Sequence, residues 1–407
     1  MNPMETIREP ERQVPVAGAA DVIVAGGGIA GVAAALAAAR SGAKTMLLER
    51  EFLPGGLATL GLVTIFLPLC DGLGTQVSFG IAEEMLRLSV RYGCEAGYPK
   101  AWLENGSGEE KRRKRFSVRY SAPVFGILCE QLLAEAGVDI LYGTAVCGAI
   151  TRNGRLDALI TENKSGRLAW KGGAIVDATG DADVCRLAGE DTALFGQGNR
   201  LAGWYYEQSG SGLGLKTLGA ADIPDKYKTE PEPASALRYG GVDGRELSRM
   251  TMDSHRMTLA DFLSKGEVGP AHHLTALSSI PQVRMTRRLE GVCTPDDGAD
   301  RTYTDSIGMI GDWRRPGPVY ELPFRCLYGR KLRNLITAGR CISVTDAMWD
   351  ITRVIPACAV TGQAAGTAAA LLTLDDSQKS ADASFSRLPV EALQAGLQSQ
   401  GVRLHRD

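Results

Sequence analysis

Along the chain, short runs of aliphatic and β-branched residues alternate with alanine-rich stretches, and glycines separate the two. The first aliphatic run, 21–25, is followed by a glycine turn and a helix predicted over 29–41, which ends at Gly42. A second strand is predicted at 44–49. A strand, a helix and a strand within about 30 residues are typical of the βαβ unit of a parallel sheet.

The same alternation returns at several later places. The predicted elements are helices at 79–93 and 122–136, strands at 138–143, 174–178 and 334–340, and hairpins at an Asn-Gly and a Ser-Gly turn between 147 and 170, with regular order returning at 320–327. Between 192 and 320 this regularity is lost, and aromatic residues and turns are scattered. We therefore expect a nucleotide-binding type of sheet that is interrupted by a second domain.

Two apolar stretches, 22–39 and 353–372, are long enough to span a membrane. The first divides into a strand, a glycine turn and an alanine helix, and the second carries Gln363 and two glycines in its middle. We interpret both as buried elements of a fold and expect no membrane interaction. The first sixteen residues include acidic side chains and no apolar core, so they do not predict a secretory signal.

Composition and charge exclude several classes of function. The 407 residues are 44% hydrophobic and 23% charged, with a net charge of −2, which favours neither nucleic acid nor an anionic membrane as a partner. The basic run within 106–119 is interpreted as a solvated loop. Nine scattered cysteines without a CxxC pair predict neither a zinc nor an iron–sulfur site and favour a reduced, cytoplasmic setting.

The first glycine turn contains the spacing Gly26-x-Gly28-x-x-Gly31. Glycines here allow a tight turn and let the backbone approach a pyrophosphate. The helix that opens at Ile29 and Ala30 offers free N–H groups to the negative charge. Because a strand precedes this motif and a second strand follows it, we predict a dinucleotide site.

Glu49, at the end of the second strand, can accept hydrogen bonds from ribose hydroxyls. A glutamate argues against a 2′-phosphate, although Arg50 directly after it weakens that distinction. Up to this point either NAD or FAD fits the motif. An NAD-only dehydrogenase usually completes its nucleotide domain in one block, whereas here the strand pattern breaks off after residue 50 and resumes near 138 and near 334.

Five segments in order carry a family resemblance: the GGGxxG start with its glutamate, "PGGLAT", "DATGDAD", "AGRCIS" and "RVIPACAVTGQAAGTAAALL". Together they resemble the FAD-dependent oxidoreductase family of glutathione-reductase type. More narrowly they resemble its bacterial branch, which shares motifs with heterodisulfide-reductase flavin subunits, and "PQVRMTRRLEG" is similar to that branch as well. The resemblance implies bound FAD.

The resemblance also implies which residues line the cofactor. They are Gly26, Gly28, Gly31 and Glu49 at the pyrophosphate and AMP ribose, Gly55, Gly56 and Thr59 along the flavin side, Val146 at the adenine, Thr179, Gly180 and Asp181 over the nucleotide, and Gly339 and Arg340 beside the ribityl phosphate. No Cys-x-x-x-x-Cys pair follows the first motif, which argues against a disulfide-reductase mechanism.

The last apolar stretch is expected to be a helix that starts near Ala357, with Pro356 in its first turn. Its positive end would face the pyrimidine edge of the flavin. Arg353 is either a second positive group at the ring or substrate, or the partner of an acid such as Asp350. Gly362 would permit close packing on the cofactor domain.

Catalytic candidates are Arg353, Arg284 and His255. The arginines of "RMTRR" could bind a carboxylate bidentately, and the alternative is a salt-bridged or solvated strand. His255 could be an acid or base, although a lone histidine is more often structural. If Cys70 or Cys341 lay near the flavin, its sulfur could form a covalent bond with the flavin. We expect instead that both cysteines are buried and that FAD is bound non-covalently.

We therefore predict a cytoplasmic FAD-dependent oxidoreductase that transfers a hydride between the flavin and a small organic substrate. The alternatives are an electron-transfer subunit with a partner protein, and a non-redox flavin-dependent isomerase or hydratase. The predicted fold is α/β, a Rossmann-type parallel sheet plus a small β-meander with a discontinuous α+β substrate domain. The predicted parts are 18–78, 121–192 and 321–376 for FAD, 79–120 and 193–320 for the substrate domain, and terminal extensions at 1–17 and 377–407.

Overall fold

A computed structural model describes residues 5–92, 100–113, 117–210, 212–219, 237–374 and 383–406. The helices are α1 (Ile29–Arg40), α2 (Ile81–Ser89), α3 (Lys100–Leu103), α4 (Gly108–Arg113), α5 (Ala122–Glu135), α6 (Asp183–Ala188), α7 (Gly244–Leu263), α8 (Asp346–Thr352), α9 (Ile355–Leu374) and α10 (Val390–Ser399). The strands are β1 (Val16–Ala25), β2 (Thr45–Leu48), β3 (Ile65–Phe66), β4 (Val118–Arg119), β5 (Asp139–Leu141), β6 (Ala145–Arg152), β7 (Arg155–Asn163), β8 (Gly166–Asp177), β9 (Thr192–Leu194), β10 (Gly203–Ser209), β11 (Gly212–Leu218), β12 (His273–Leu277), β13 (Arg287–Leu289), β14 (Ser306–Gly311), β15 (Val319–Pro323) and β16 (Leu335–Thr337).

A central sheet with the strand order β5-β2-β1-β8-β7-β6 organises the molecule. Strands β5, β2, β1 and β8 run parallel, and β16 extends this parallel part by pairing with the end of β8. The first part of β8 pairs with β7 in an antiparallel meander that β6 completes. The predicted fold class, a parallel sheet plus a small β-meander, is confirmed.

The parallel strands are apolar on both faces because both faces are covered. Val22 and Val24 of β1 point into a core shared with α1 and α9, whereas Ile23 points to the other face. There it packs with residues of the meander strand β7 and helix α6. The sequence pattern therefore shows continuous aliphatic runs in place of period-two alternation.

Helices α1 and α9 lie against each other with almost no side chain between their backbones. A Cβ atom on Gly362 would collide with the carbonyl oxygen of Ala30, and one on Gly366 with that of Ala34. Small residues on both helices therefore allow the contact that brings the starts of α1 and α9 to the same end of the sheet.

Helix α9 is the one helix in the described residues that is long and apolar enough to cross a membrane, and 83% of its most apolar window is buried inside the fold. The amide of Gln363 is satisfied within the protein: its Oε1 accepts from the Ile81 N–H at 2.9 Å, and its Nε2 donates to Gln400 at 2.9 Å. These bonds tie α2 and the segment after α10 to α9, as in the core helix of a globular fold.

The remaining elements form smaller sheets, β11-β10-β12, β13-β9, β14-β15 and β3-β4, beside the central one. The 20-residue helix α7 packs against β10 in a region where the sequence predicted no regular structure. The basic run predicted as a loop contains the short exposed helix α4, and its residues 114–116 lie outside the described residues. The predicted domain boundary at 376 also lies outside them.

Candidate active site

A cavity of about 520 Å³ lies at the carboxyl ends of the parallel strands, where α1 and α9 begin. This is the position where open α/β sheets bind their ligands. Many of the residues that the sequence singled out line it: Gly26, Gly28, Ile29, Ala30, Glu49, Arg50, Gly55, Gly56, Val146, Thr179, Gly180, Asp181, Arg284, Arg340 and Arg353.

The first glycine turn, residues 26–31, forms a concave backbone surface for a ligand, here called the glycine cradle. Gly26 has φ +99°, and a Cβ there would lie 2.6 Å from the Ala178 carbonyl oxygen. A Cβ on Gly28 would meet nothing within 4 Å, because this residue faces the cavity. The first helical hydrogen bond of α1 runs from Val32 to Gly28, so the preceding N–H groups lie at the free end of the helix.

The segment after β2 reinforces this cradle. The N–H of Gly55 donates to the Gly27 carbonyl at 2.7 Å, and Gly56, with φ +54°, lies against Gly28. Thr59 is buried and donates to the Pro54 carbonyl at 2.7 Å, so it shapes the loop and does not line the cavity. The "PGGLAT" motif therefore fixes the second side of the glycine turn.

Glu49 is held by backbone N–H groups at the end of β2. Its carboxylate accepts a hydrogen bond from the Gly27 N–H and another, at 2.8 Å, from the Glu51 N–H. Thr144 donates its N–H to the Glu49 carbonyl at 2.9 Å, which brings β6 and Val146 to the same end of the cavity. A buried carboxylate beside an apolar strand suits a ribose and an adenine.

The loop after β8 closes over the middle of the cavity. Arg340 donates to the carbonyl of Arg284 at 2.9 Å and pairs with Asp181 at 3.3 Å, and Thr286 donates to Asp181 at 2.5 Å. Burial, together with the neighbouring carboxylates of Asp181 and Asp177, raises the pKa of Asp183 to about 6. The loop is thus tied to the segment that carries Arg284.

Cys341 lies under this loop and does not line the cavity. Its sulfur accepts hydrogen bonds from the N–H groups of Gly180 at 3.1 Å and Ala182 at 3.3 Å. Burial raises the pKa of its thiol well above the usual value. The expectation of a buried role for this cysteine, and likewise for the buried Cys70, agrees with the structure.

Helix α9 begins at Ile355, two residues before the predicted start, and its first residues line the far end of the cavity. The preceding Arg353 is paired with Asp350, which was the second of the two alternatives for this residue. Its Nε and Nη2 contact Asp350 Oδ1 at 3.0 and 2.5 Å, and its guanidinium lies 5.7 Å from the ring centre of Trp313. Both Arg353 and Trp313 line the cavity.

The three arginines of "RMTRR" have separate environments. Arg287 pairs with Asp183 at 2.6 Å, and Arg288 pairs with Asp346 at 3.0 Å over the Trp349 ring. Arg284 lines the cavity, with its guanidinium 5.5 Å from the ring centre of Trp204. The structure therefore divides the segment between the two alternatives, salt bridges for two residues and a cavity wall for the third.

Some of the singled-out residues stand outside the lining. Those that pack beneath it are Gly31, Thr59, Gly339, Ala357 and Gly362. His255 is exposed and borders a separate, very small cavity. The sequence interpretation missed the apolar wall of Val63, Ile65, Leu67, Trp204, Ile280 and Trp313, and also Cys358. Only the scattered aromatic residues of the irregular region hinted at it.

Comparison with known proteins agrees with this geometry. A family model described as FAD dependent oxidoreductase matches residues 21–209 and 226–397, which is most of the chain. The glycine cradle, the buried glutamate and the free start of α1 are the features that FAD binding requires, and the open space at Gly28 leaves room for a pyrophosphate.

Solved structures that are similar share little sequence with this chain. A geranylgeranyl bacteriochlorophyll reductase-like protein from Thermoplasma acidophilum matches at 16% identity and a TM-score of 0.45, over 94% of this chain and 83% of that chain. A p-nitrophenol 4-monooxygenase from Pseudomonas putida matches at 11% identity and a TM-score of 0.47, over 94% of this chain and 89% of that chain. An L-proline dehydrogenase from P. horikoshii matches at 13% identity and a TM-score of 0.43, over 96% of this chain and 100% of that chain.

Proposed function

The chain belongs to the family of FAD-dependent oxidoreductases, and we propose that it transfers a hydride between bound FAD and a small organic substrate. The supporting observation is that one cavity carries both the glycine cradle and a wall that includes Trp204, Trp313 and Arg284. A dinucleotide along the cradle would have its reactive end beside side chains that can hold a second molecule.

FAD, when bound, supplies the redox chemistry, and the protein contributes position, charge and exclusion of water. The start of α9 at Ile355 lines the cavity and directs the positive end of the helix toward it. That end would stabilise negative charge at the pyrimidine edge of the ring. Trp204 and Trp313 form an apolar wall that shields the reacting atoms.

The first prediction concerns the flavin itself. Purified protein should be yellow, and anaerobic mixing with small metabolites should bleach the flavin absorbance with at least one of them. The panel should contain hydroxy acids, amines, unsaturated acids and sugars. A colourless protein that does not bind added FAD would contradict the proposal.

Two other outcomes favour the alternative functions. Bleaching that occurs only with a partner protein, and never with a small molecule, would indicate an electron-transfer subunit. Substrate turnover without net reduction of the flavin would indicate an isomerase or hydratase. The partner that we propose is a small molecule, because the apolar wall and Arg284 border the same cavity as the cradle.

We also propose that FAD is bound non-covalently. Of the eight described cysteines, Cys358 alone lines the cavity, and burial raises the pKa of its thiol to about 12. A protonated thiol is a poor nucleophile. Precipitation with trichloroacetic acid should therefore release all yellow colour into the supernatant, and colour retained in the pellet would contradict this prediction.

We further propose that the protein works in the reducing cytoplasm, because all eight described cysteines are free thiols.

A further inference from the structure

Resting on the proposed function, we infer that the substrate carries an elongated aliphatic chain, which lies along segment 63–67 of the apolar wall. Side chains alternate along this segment. Val63, Ile65 and Leu67 line the cavity and are partly exposed, whereas the two residues between them are wholly buried. Successive side chains of an extended segment point to opposite sides, so these three share one face. That face is an aliphatic surface that a ligand can cover.

The length of this surface indicates the shape of the ligand. The segment is extended, since its middle is strand β3, which pairs with β4. With a rise of about 3.3 Å per residue, Val63 and Leu67 are about 13 Å apart. A compact group would cover one or two of the three side chains, whereas an aliphatic chain can cover them all.

Hydrogen bonds hold this segment in place beside the cofactor loop. The wholly buried Tyr120 donates its hydroxyl to the Ala58 carbonyl at 2.9 Å and lies 3.2 Å from the Val63 carbonyl. The hydroxyl groups of Thr64 and Tyr206 are hydrogen-bonded at 2.9 Å. The aliphatic surface therefore begins directly after the loop that reinforces the glycine cradle, and a chain bound along it would start next to the cofactor.

A second segment extends the surface sideways. The Ser279 N–H donates to the Leu60 carbonyl at 2.9 Å, and the Gln282 amide donates to the Gly61 carbonyl at 2.5 Å. These bonds place segment 279–282 alongside the start of segment 63–67. Its two middle residues, which both line the cavity, are Ile280 and Pro281. The wall is therefore apolar across its width as well as along its length.

The two tryptophans of the wall present ring carbons to the cavity. Trp313 donates its indole N–H to the Asp350 carbonyl at 2.9 Å. Trp204 lines the cavity while its Nε1 atom is buried within the protein. Neither indole N–H is therefore directed at a ligand, and both rings add to the apolar surface.

The two arginines beside these rings have contacts within the protein. Arg353 pairs with Asp350, and Arg284 donates to Gln282. The inference therefore depends on the aliphatic surface and on no charge. A substrate rich in hydroxyl groups would lose hydrogen bonds to water against this surface, whereas an aliphatic chain gains free energy by leaving water.

The test uses FAD-loaded protein and three neutral probes, butanamide, hexanamide and octanamide, which share a headgroup and differ in chain length. Calorimetry measures their dissociation constants. Each methylene that becomes buried on the wall should raise the affinity about fourfold. Hexanamide should therefore bind about 16-fold more tightly than butanamide, and octanamide about 16-fold more tightly than hexanamide.

Ile65→Asn places an amide in the middle of the aliphatic surface. It should lower the preference for octanamide over butanamide about 10-fold or more, because the polar group loses water when the chain binds. Leu213→Asn is the matched control, since Leu213 is a strand residue that is 57% exposed and lies outside the cavity lining. It should keep the wild-type preference. Ile65→Ala, which should lower the preference several-fold, replaces Ile65→Asn if that variant does not fold.

Affinity that stops rising after butanamide would overturn the inference, and so would absence of octanamide binding at millimolar concentration. An unchanged preference in the Ile65 variant, or an equal loss in Leu213→Asn, would do the same. Binding of the amides requires no electron transfer. Protein that does not hold FAD, or whose flavin no metabolite bleaches, would therefore count against the proposed function, whereas a flat chain-length series on FAD-loaded protein would count against this inference.

Discussion

Replacing Gly28 with alanine is expected to weaken the binding of FAD while leaving the fold about as stable as before. Gly28 has φ −64° and ψ 178°, which alanine adopts without strain, and the new methyl group would meet no protein atom within 4 Å. It would instead occupy the cavity at the point where the backbone must approach the pyrophosphate. We expect the affinity for FAD to fall about 100-fold, which corresponds to about 2.7 kcal/mol.

The stability of the flavin-free protein should change by less than about 1 kcal/mol. Alanine lowers the entropy of the unfolded chain, but it is a poorer residue than glycine at the start of a helix, and the two effects oppose each other. FAD titration followed by flavin fluorescence and urea unfolding of the flavin-free protein measure the two quantities separately.

Gly31→Ala is the matched control, one turn further along α1. Here the new methyl group would collide with the Gly26 carbonyl oxygen, so the helix and the strand must move apart. Overpacking of this kind costs about 1–3 kcal/mol of unfolding free energy. If Gly28→Ala destabilised the flavin-free protein as much as Gly31→Ala does, or still bound FAD tightly, the cradle would be misassigned.

The contrast between these two glycines shows what the sequence could predict. The spacing of the motif, the strand before it and the helix after it are local features, so the βαβ unit and its cradle follow from about thirty residues. The same holds for the Asn-Gly hairpin, which the structure places between Arg152 and Arg155. Local turn chemistry determines both.

Elements that depend on distant partners were predicted less well. Strand β1 starts at Val16, five residues before its aliphatic run, because residues 16–20 pair with the first half of β8. Helix α7 was missed, although Asp243 caps it by accepting from the Glu246 N–H at 2.8 Å. An Asp three residues before a Glu is a recognised start signal and could have revealed it.

The part of the cavity in which we propose that the substrate binds, here called the substrate end, was the least predictable part of the site. Ile65, Trp204, Arg284 and Trp313 come from four separate segments whose contacts depend on tertiary packing. No periodicity in the sequence relates them. The cofactor half of the site could therefore be predicted from motifs, whereas the substrate half required the folded chain.

Asp350→Ala is expected to be the most destabilising substitution near the substrate end. The side chain of Asp350 is wholly buried and lies between two arginines, Arg353 at 2.5 Å and Arg314 at 3.5 Å. Alanine would leave these buried charges with less compensation, and breaking a buried ion pair in this way costs about 3–5 kcal/mol. Urea or thermal unfolding measures the loss.

Two further variants separate charge from packing. Asp191 pairs with Lys331 at the surface, where both side chains are about half exposed, so Asp191→Ala should cost about 1 kcal/mol or less. The double variant Asp350→Leu with Arg353→Met removes both charges of the buried pair, while Arg314 keeps its 2.9 Å contact to Asp312. This double variant should recover much of the unfolding free energy that Asp350→Ala loses.

The recovery is the decisive comparison, because it depends on the sign and burial of the charges. If the double variant were no more stable than Asp350→Ala, the loss would come from packing around α8. If Asp350→Ala cost no more than Asp191→Ala, the buried pair would contribute nothing to stability. The expected order, with Asp350→Ala well below the double variant, would establish that Asp350 holds Arg353 in the wall of the substrate end by charge.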